Sequence, residues 1–229
     1  MKADLSVGST RSSIKQVYDV ISAFDDKKKE LVTSIGFGGL LFFPPLRQIN
    51  RRFAVWLMSR VDPLSQMLVI DSAKRIKFNK VDIEHVFGIP CRGSSISDSG
   101  MPRKEIIGKV MGLYLGDGAK ENRSIKSVQE VLERNYRGEM SENEQNAFKV
   151  AFVIFVMSTV LSPGSKYDYV SVDYWNALVD TCCIKDFDWS EYVLHKLFQA
   201  VAKLKTELKS SNKVTNITGC YIFLQVGNA

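Results

Sequence analysis

Three arginines, Arg47, Arg51 and Arg52, follow a glycine cluster, Gly36, Gly38 and Gly39, and together they pose the question of a phosphate site. Glycine-rich loops hold phosphate when a lysine and a hydroxyl follow at fixed spacing. Gly36-Phe37-Gly38-Gly39-Leu40-Leu41 lacks the Gly-Lys-Ser/Thr ending of that loop, and Leu41 stands where a dinucleotide-binding turn needs its third glycine. The cluster reads instead as a close backbone turn under Phe37, Leu40, Leu41, Phe42 and Phe43, ahead of a Pro44-Pro45 corner. The arginines keep a reading of their own. Arg47 and Arg51 are four apart and share a helix face, with Arg52 beside them. Lys74, Arg75 and Lys77, with Lys80 nearby, add charge from the next hairpin. This set is a candidate nucleic-acid contact, weighed against a solvated face with local ion pairs. No aromatic interleaving marks it as a single-strand platform.

Nucleophilic and metal chemistry find less to work with. His85 and His195 are the 2 imidazoles, and Cys91 lies near His85, but no orienting carboxylate follows by spacing. An enzyme reading would be a thiol hydrolase using Cys91 or Cys182. The 4 cysteines, Cys91, Cys182, Cys183 and Cys220, form no Cys-x-x-Cys pair, which points to a reducing compartment and no metal. Acidic pairs such as Glu142 with Glu144, or Asp186 with Asp188, fit helix starts better than acid/base work. No catalytic, cofactor-binding or metal-binding residue is assigned, and no cofactor is expected.

The elements that must carry these residues are mostly helices. With 229 residues, 45% hydrophobic and 24% charged, the chain is long enough for one cored domain. Its net charge of +6 is uneven: residues 1–120 hold 19 basic and 12 acidic side chains, residues 121–229 hold 12 and 13. The basic N-terminal half permits attraction to an acidic partner. Lys27, Lys28 and Lys29 form one short basic run, partly neutralised by Asp25, Asp26 and Glu30.

Ile14, Val17, Tyr18 and Ile21 follow helical spacing near the N-terminus. A helix from about Leu46 to Val61 is expected to turn Ile49, Phe53, Trp56 and Leu57 inward, and MLVIDSAKRIKF to form two strands about Asp71 to Lys74. Asn79 caps KVDIEHVF before Gly88, and Ser141 with Glu144 opens a buried helix that Pro163-Gly164 stops. Its apolar run, Val150 to Leu161, is shorter than the roughly 20 residues of a membrane span. Helices are also expected at Lys104–Leu115 and Ile125–Tyr136, in SVDYWNALVDTCCI with the two cysteines packed at its end, and from Asp188 on. Gly93 to Pro102 and Gly116 to Asn122 read as loops. The fold class is mainly α: one multi-helix domain with a small β-hairpin near residues 67–78. Its expected core includes Phe53, Trp56, Leu57, Phe87, Phe152, Phe155, Trp175, Leu178, Leu194, Leu197 and Phe198.

A succession of blocks adds a family resemblance. ELVTSIGFGGLLFFPPLRQINRRFAVWLMSRVD, KRIKFNKVDIEHVFGIPCRG, AFVIFVMSTVLSPGSKYDYVSVDYWNALVDTCCIKDFDWSEYVLHKLFQAV and TGCYIFLQV resemble, in order, the plant mobile domain, an aminotransferase-like domain of transposon-associated plant proteins. The resemblance spans residues 30–226 and leaves residues 1–29 as a helical or partly flexible extension. It implies a helical, nuclear, transposon-derived interaction module, non-catalytic, acting in silencing of repeats or genome maintenance with an unidentified protein partner and no membrane. Direct DNA binding through the basic patch is the alternative. A third reading is the remnant of a SUMO-protease-like mobile-element protein lacking its catalytic domain. The family label carries no lysine with a pyridoxal-phosphate context onto this sequence. Relatives continue past the FLQV block, so a C-terminally shortened domain is expected.

Overall fold

The computed structural model describes residues 6–10, 13–44, 50–116, 123–136, 138–165, 169–211 and 213–226. In chain order these form β1 (Ser6–Thr10), α1 (Ile14–Ser22), α2 (Asp26–Ser34), α3 (Arg51–Arg60), β2 (Val61–Asp62), β3 (Met67–Val69), β4 (Arg75–Lys77), α4 (Lys80–Phe87), α5 (Lys104–Leu115), α6 (Ile125–Glu133), α7 (Glu142–Val156), α8 (Trp189–Ser211), β5 (Lys213–Ile217) and α9 (Tyr221–Val226). The protein is mainly α with a small antiparallel sheet, as its sequence pattern predicts.

Short polar side chains start the helices by accepting otherwise unpaired backbone N–H groups. Asp25 Oδ1 accepts from Lys28 N at 2.8 Å, Asn50 Oδ1 from Phe53 N at 3.0 Å, and Asp188 Oδ1 from Glu191 N at 2.9 Å. Full capping boxes open α4, through Asn79 and Asp82, and α7, through Ser141 and Glu144.

Helix α7 is the axis of the core. Every residue from Val150 to Val156 is buried, the mark of a helix that is apolar on all sides and enclosed by neighbours. Helices α2, α5 and α6 lie against it. Beyond Val156 the helix widens into a π-helical turn, Met157–Leu161, before Pro163. By length and composition the 20 residues Glu142–Leu161 pass for a membrane-crossing helix, yet 78% of its 18-residue apolar window is buried inside the protein, so the fold accounts for its apolarity. The long α8 adds Tyr192, Val193, Leu197, Val201 and Leu204 to the same core.

The glycine cluster resolves as a close approach. A Cβ on Gly39 would sit 2.4 Å from Gly88 Cα, and one on Gly88 would sit 2.6 Å from Gly39 Cα. The two glycines therefore pass back to back, and Gly88 at φ +58° also ends α4 in the left-handed region.

Three expectations are corrected. Phe53 and Trp56 are 45% and 38% exposed, while Ala54, Val55, Leu57 and Met58 face inward. Helix α3 carries two apolar stripes, and the one with the small Ala54 allows close approach to α8 and α9. SVDYWNALVDTCCI is not one helix: it breaks into 3-10 turns at Trp175–Leu178 and Ile184–Asp186. Asp180 explains the break, since its carboxylate accepts from Cys182 N at 2.9 Å and holds a turn. Cys182 and Cys183 are consequently exposed rather than packed. Unannounced by any sequence pattern, β1 and β5 pair in parallel, Ser6 with Lys213 through Thr10 with Ile217, drawing the two ends of the chain together.

Candidate nucleic-acid interface

The exposed face of α3 is built from four residues. Arg52, Phe53, Trp56 and Arg60 recur at helical spacing on the side that turns from the core. The Phe53 and Trp56 rings stack, with centroids 5.8 Å apart and planes 12° apart. The Arg60 guanidinium lies 5.5 Å from the Trp56 ring centroid. A half-exposed aromatic pair is thus held on this face with one guanidinium against it. Arg51 and Arg52 occupy the first helical turn, where the macrodipole disfavours cations and which holds no acidic residue. Arg52 is exposed there.

The three-stranded sheet continues this surface. Strand β2 begins at Val61, the residue after Arg60, so no flexible segment separates helix from sheet. Val61 pairs with Leu68 and Leu68 with Ile76, and this row faces inward. Period-two alternation then turns Arg75 and Lys77 outward beside Val69 and Met67. The turn is pinned by Asp71, whose carboxylate accepts from Ala73 N at 2.8 Å and Lys74 N at 2.7 Å. Those backbone hydrogen bonds, Lys74 N first, hold the Asp71 carboxyl below its usual value, so its charge is engaged within the turn.

Of the six basic residues the sequence singles out, Arg51, Arg52, Lys74, Arg75 and Lys77 are exposed on this helix and hairpin, and Arg47 lies outside the described residues. Lys80 leaves the set. Its ammonium sits 2.5 Å from the carboxylate of Asp188, which is 4% exposed, tying α4 to α8. The hydrogen bond to Asp188 raises the Lys80 pKa. Sequence reasoning missed the aromatic interleaving because it took Phe53 and Trp56 for core. The signal that could have found it was Arg52 and Arg60 flanking Trp56 at four-residue steps, which would drag two guanidinium groups inward with the ring.

The other candidate groups are arranged differently. Cys91 is buried, and burial first, then Asp188 and Glu84, push its thiol above the ordinary value, the reverse of thiolate activation. His85 is exposed on α4, and His195 on α8 shares a 2.7 Å hydrogen bond with Gln199. Among the described residues no group of three His, Cys, Asp or Glu side chains is placed to hold a metal ion.

A family model matches residues 10–225. The chain belongs to the family described as Domain of unknown function (DUF8566). No curated protein and no solved structure matches it. The DUF8566 match runs from before α1 into α9, so the α3 surface and the core behind it lie within one family unit.

Proposed function

We propose that this DUF8566 protein is a non-catalytic nucleic-acid-binding module, in which α3 and the β3–β4 hairpin grip a single strand. The observation that carries the reading is the exposed Phe53–Trp56 stack with Arg60 against it. Base–aromatic stacking contributes on the order of 1–3 kcal/mol per base and tolerates any sequence, while arginines and lysines neutralise the backbone. A duplex hides its base faces, so the ladder favours unpaired bases over paired ones. The resemblance to the plant mobile domain supports a nuclear, transposon-derived module in this role, acting on repeats or in genome maintenance.

The test is fluorescence anisotropy of a labelled single-stranded 20-mer and its duplex at low and near-physiological salt. The single strand binds more tightly. Arg52→Glu with Arg75→Glu lowers the dependence of affinity on salt, by roughly 0.7 in the log–log slope for each phosphate no longer neutralised. Trp56→Ala weakens binding by about tenfold at both salts. Absence of binding at either salt, or binding indifferent to all three substitutions, overturns the proposal and makes the exposed rings a surface for another protein.

A further inference from the structure

The consecutive thiols Cys182 and Cys183 are both exposed. Free cysteine is among the residue types most often buried, and its reactivity more than its packing decides where it is kept, so an exposed pair calls for an account. The residues on either side show that the exposure is built into the fold. Thr181 is 6% exposed, and its Oγ1 donates to Asn146 Oδ1 at 2.6 Å. Ile184 is fully buried, and its carbonyl accepts from Trp189 Nε1 at 2.7 Å. Between these two anchors the chain turns, with Cys183 N donating to Asp180 O at 3.2 Å and Cys182 N to Asp180 Oδ1 at 2.9 Å. The turn holds residues 182 and 183 out while 181 and 184 go in. Asp180 also reaches a sulfur, since Cys183 Sγ donates to its Oδ2 at 3.3 Å, which restrains that side chain.

Neighbouring sulfurs on one chain are poorly suited to bond each other. Consecutive Cα atoms are about 3.8 Å apart, short of the roughly 4.4–6.8 Å that an unstrained disulfide spans, so a direct S–S bond of about 2.05 Å would be strained. A metal–thiolate bond is about 2.3 Å long, so one ion can join sulfurs up to roughly 4.6 Å apart. A bridging ion therefore suits the pair better than a disulfide does. Soft thiolates select copper(I) and zinc, and zinc takes four ligands in a closed site. Among the described residues no group of three His, Cys, Asp or Glu side chains is placed to hold a metal, which leaves the pair to an ion content with two sulfurs. Copper is monovalent under the reducing conditions in which free thiols persist.

We propose that Cys182 and Cys183 form a two-sulfur site for a soft monovalent cation, copper(I). The ion enters and remains as Cu(I): two S–H bonds break, two S–Cu bonds form, both protons go to solvent, and no electron is transferred. The loaded site carries one negative charge, and Lys185, exposed two residues beyond Cys183, supplies a cation nearby. The spacing of the cysteines along the sequence gave no metal pattern, because those patterns describe four-ligand sites. This site does not depend on the nucleic-acid reading of α3.

The experiment is titration of the full, reduced chain into the coloured Cu(I)–bicinchoninate complex, without oxygen and with ascorbate to hold the copper as Cu(I). Bleaching of the complex to an end point of one Cu(I) per chain is expected. Cys182→Ser and Cys183→Ser each weaken capture by about a hundredfold or more, since a ligand matters at least as much as the groups that orient it. The double variant, which keeps only the buried Cys91 and Cys220, takes no copper. Zn(II) binds the chain no more tightly than it binds the double variant. Should a serine variant fail to fold, alkylation of the native protein by iodoacetamide, which reaches exposed thiols and spares buried ones, carries the comparison, and the blocked chain takes no copper. Colour that persists in the presence of the chain, capture undiminished in either single variant, or Zn(II) held as tightly as Cu(I) overturns the proposal.

Discussion

Lys28 and Arg52 both belong to basic runs in the N-terminal half of the chain, and the structure uses them in opposite ways. Lys28 is 7% exposed, and its ammonium donates to Leu132 O at 2.8 Å and Arg134 O at 2.9 Å, closing the C-terminal end of α6. The rings of Phe24, Tyr136 and Phe148 surround it at 5.5 to 5.8 Å. Burial pulls its pKa below the usual value, and Asp25 and Glu133 pull partly back. Its neighbours Lys27 and Lys29 stay outside, paired with Glu30 at 3.0 Å and Asp26 at 3.5 Å. Arg52 has the reverse arrangement, exposed on a helix whose first turn has no acid to answer it. A basic run therefore does not reveal its use; the partners within reach of each cation do.

This contrast is broken most easily at Lys28. Lys28→Met leaves two helix-end carbonyls without a donor and is expected to cost about 2 kcal/mol of stability, read as a lower urea midpoint at unchanged m-value. A cost no larger than that of Lys27→Met would show that Lys28 is solvated after all.

A second expectation sharpens the difference between buried and exposed titrating groups. Burial pushes the Cys220 thiol from 9.0 up to about 12 and the Tyr114 phenol from 10.0 up to about 12. Folded pKa values above the unfolded ones mean that the native state keeps protons the unfolded chain releases. The associated stability is intact below pH 9 and is lost as pH rises toward 12, by about 1.4 kcal/mol per pH unit for each proton retained. Cys220→Ala removes the thiol's share of that slope, which denaturant titrations at stepped pH measure directly.

The smallest effect belongs to the surface. Arg52→Glu is expected to change stability by less than about 0.5 kcal/mol, or to raise it slightly, because an acid in the first helical turn suits the macrodipole. Thermal unfolding beside the anisotropy titration checks that affinity falls while the fold stands.

Much of the fold was legible because local signals agreed with burial. The caps at Asn79, Ser141 and Asp188 and the hairpin about Asp71 are where the sequence places them, and α7 and α8 follow from apolar runs, whereas the glycine cluster, read as a local close turn, makes its close approach to the distant Gly88. Failures came where two patterns competed. On α3 the heavier aromatic stripe lost to a stripe containing Ala54, since close helix approach needs a small residue more than it needs large rings. Around Trp175 the apolar spacing suggested a helix that Asp180 interrupts with a side-chain turn. Parallel pairing of β1 with β5 joins segments from opposite ends of the chain, and no local pattern encodes that register. The exposure of Phe53 and Trp56 was hidden by the same mistaken stripe.

The central claim, that α3 offers stacked rings to unpaired bases, is tested most directly by intrinsic tryptophan fluorescence. The chain has 3 tryptophans. Trp175 and Trp189 are fully buried, and Trp56 is 38% exposed. Titration with an unlabelled single-stranded thymidine oligonucleotide should quench part of the emission saturably, and Trp56→Phe should abolish that quenching while leaving the buried emission in place. Emission that does not change on titration, or quenching that persists in Trp56→Phe, would contradict the account.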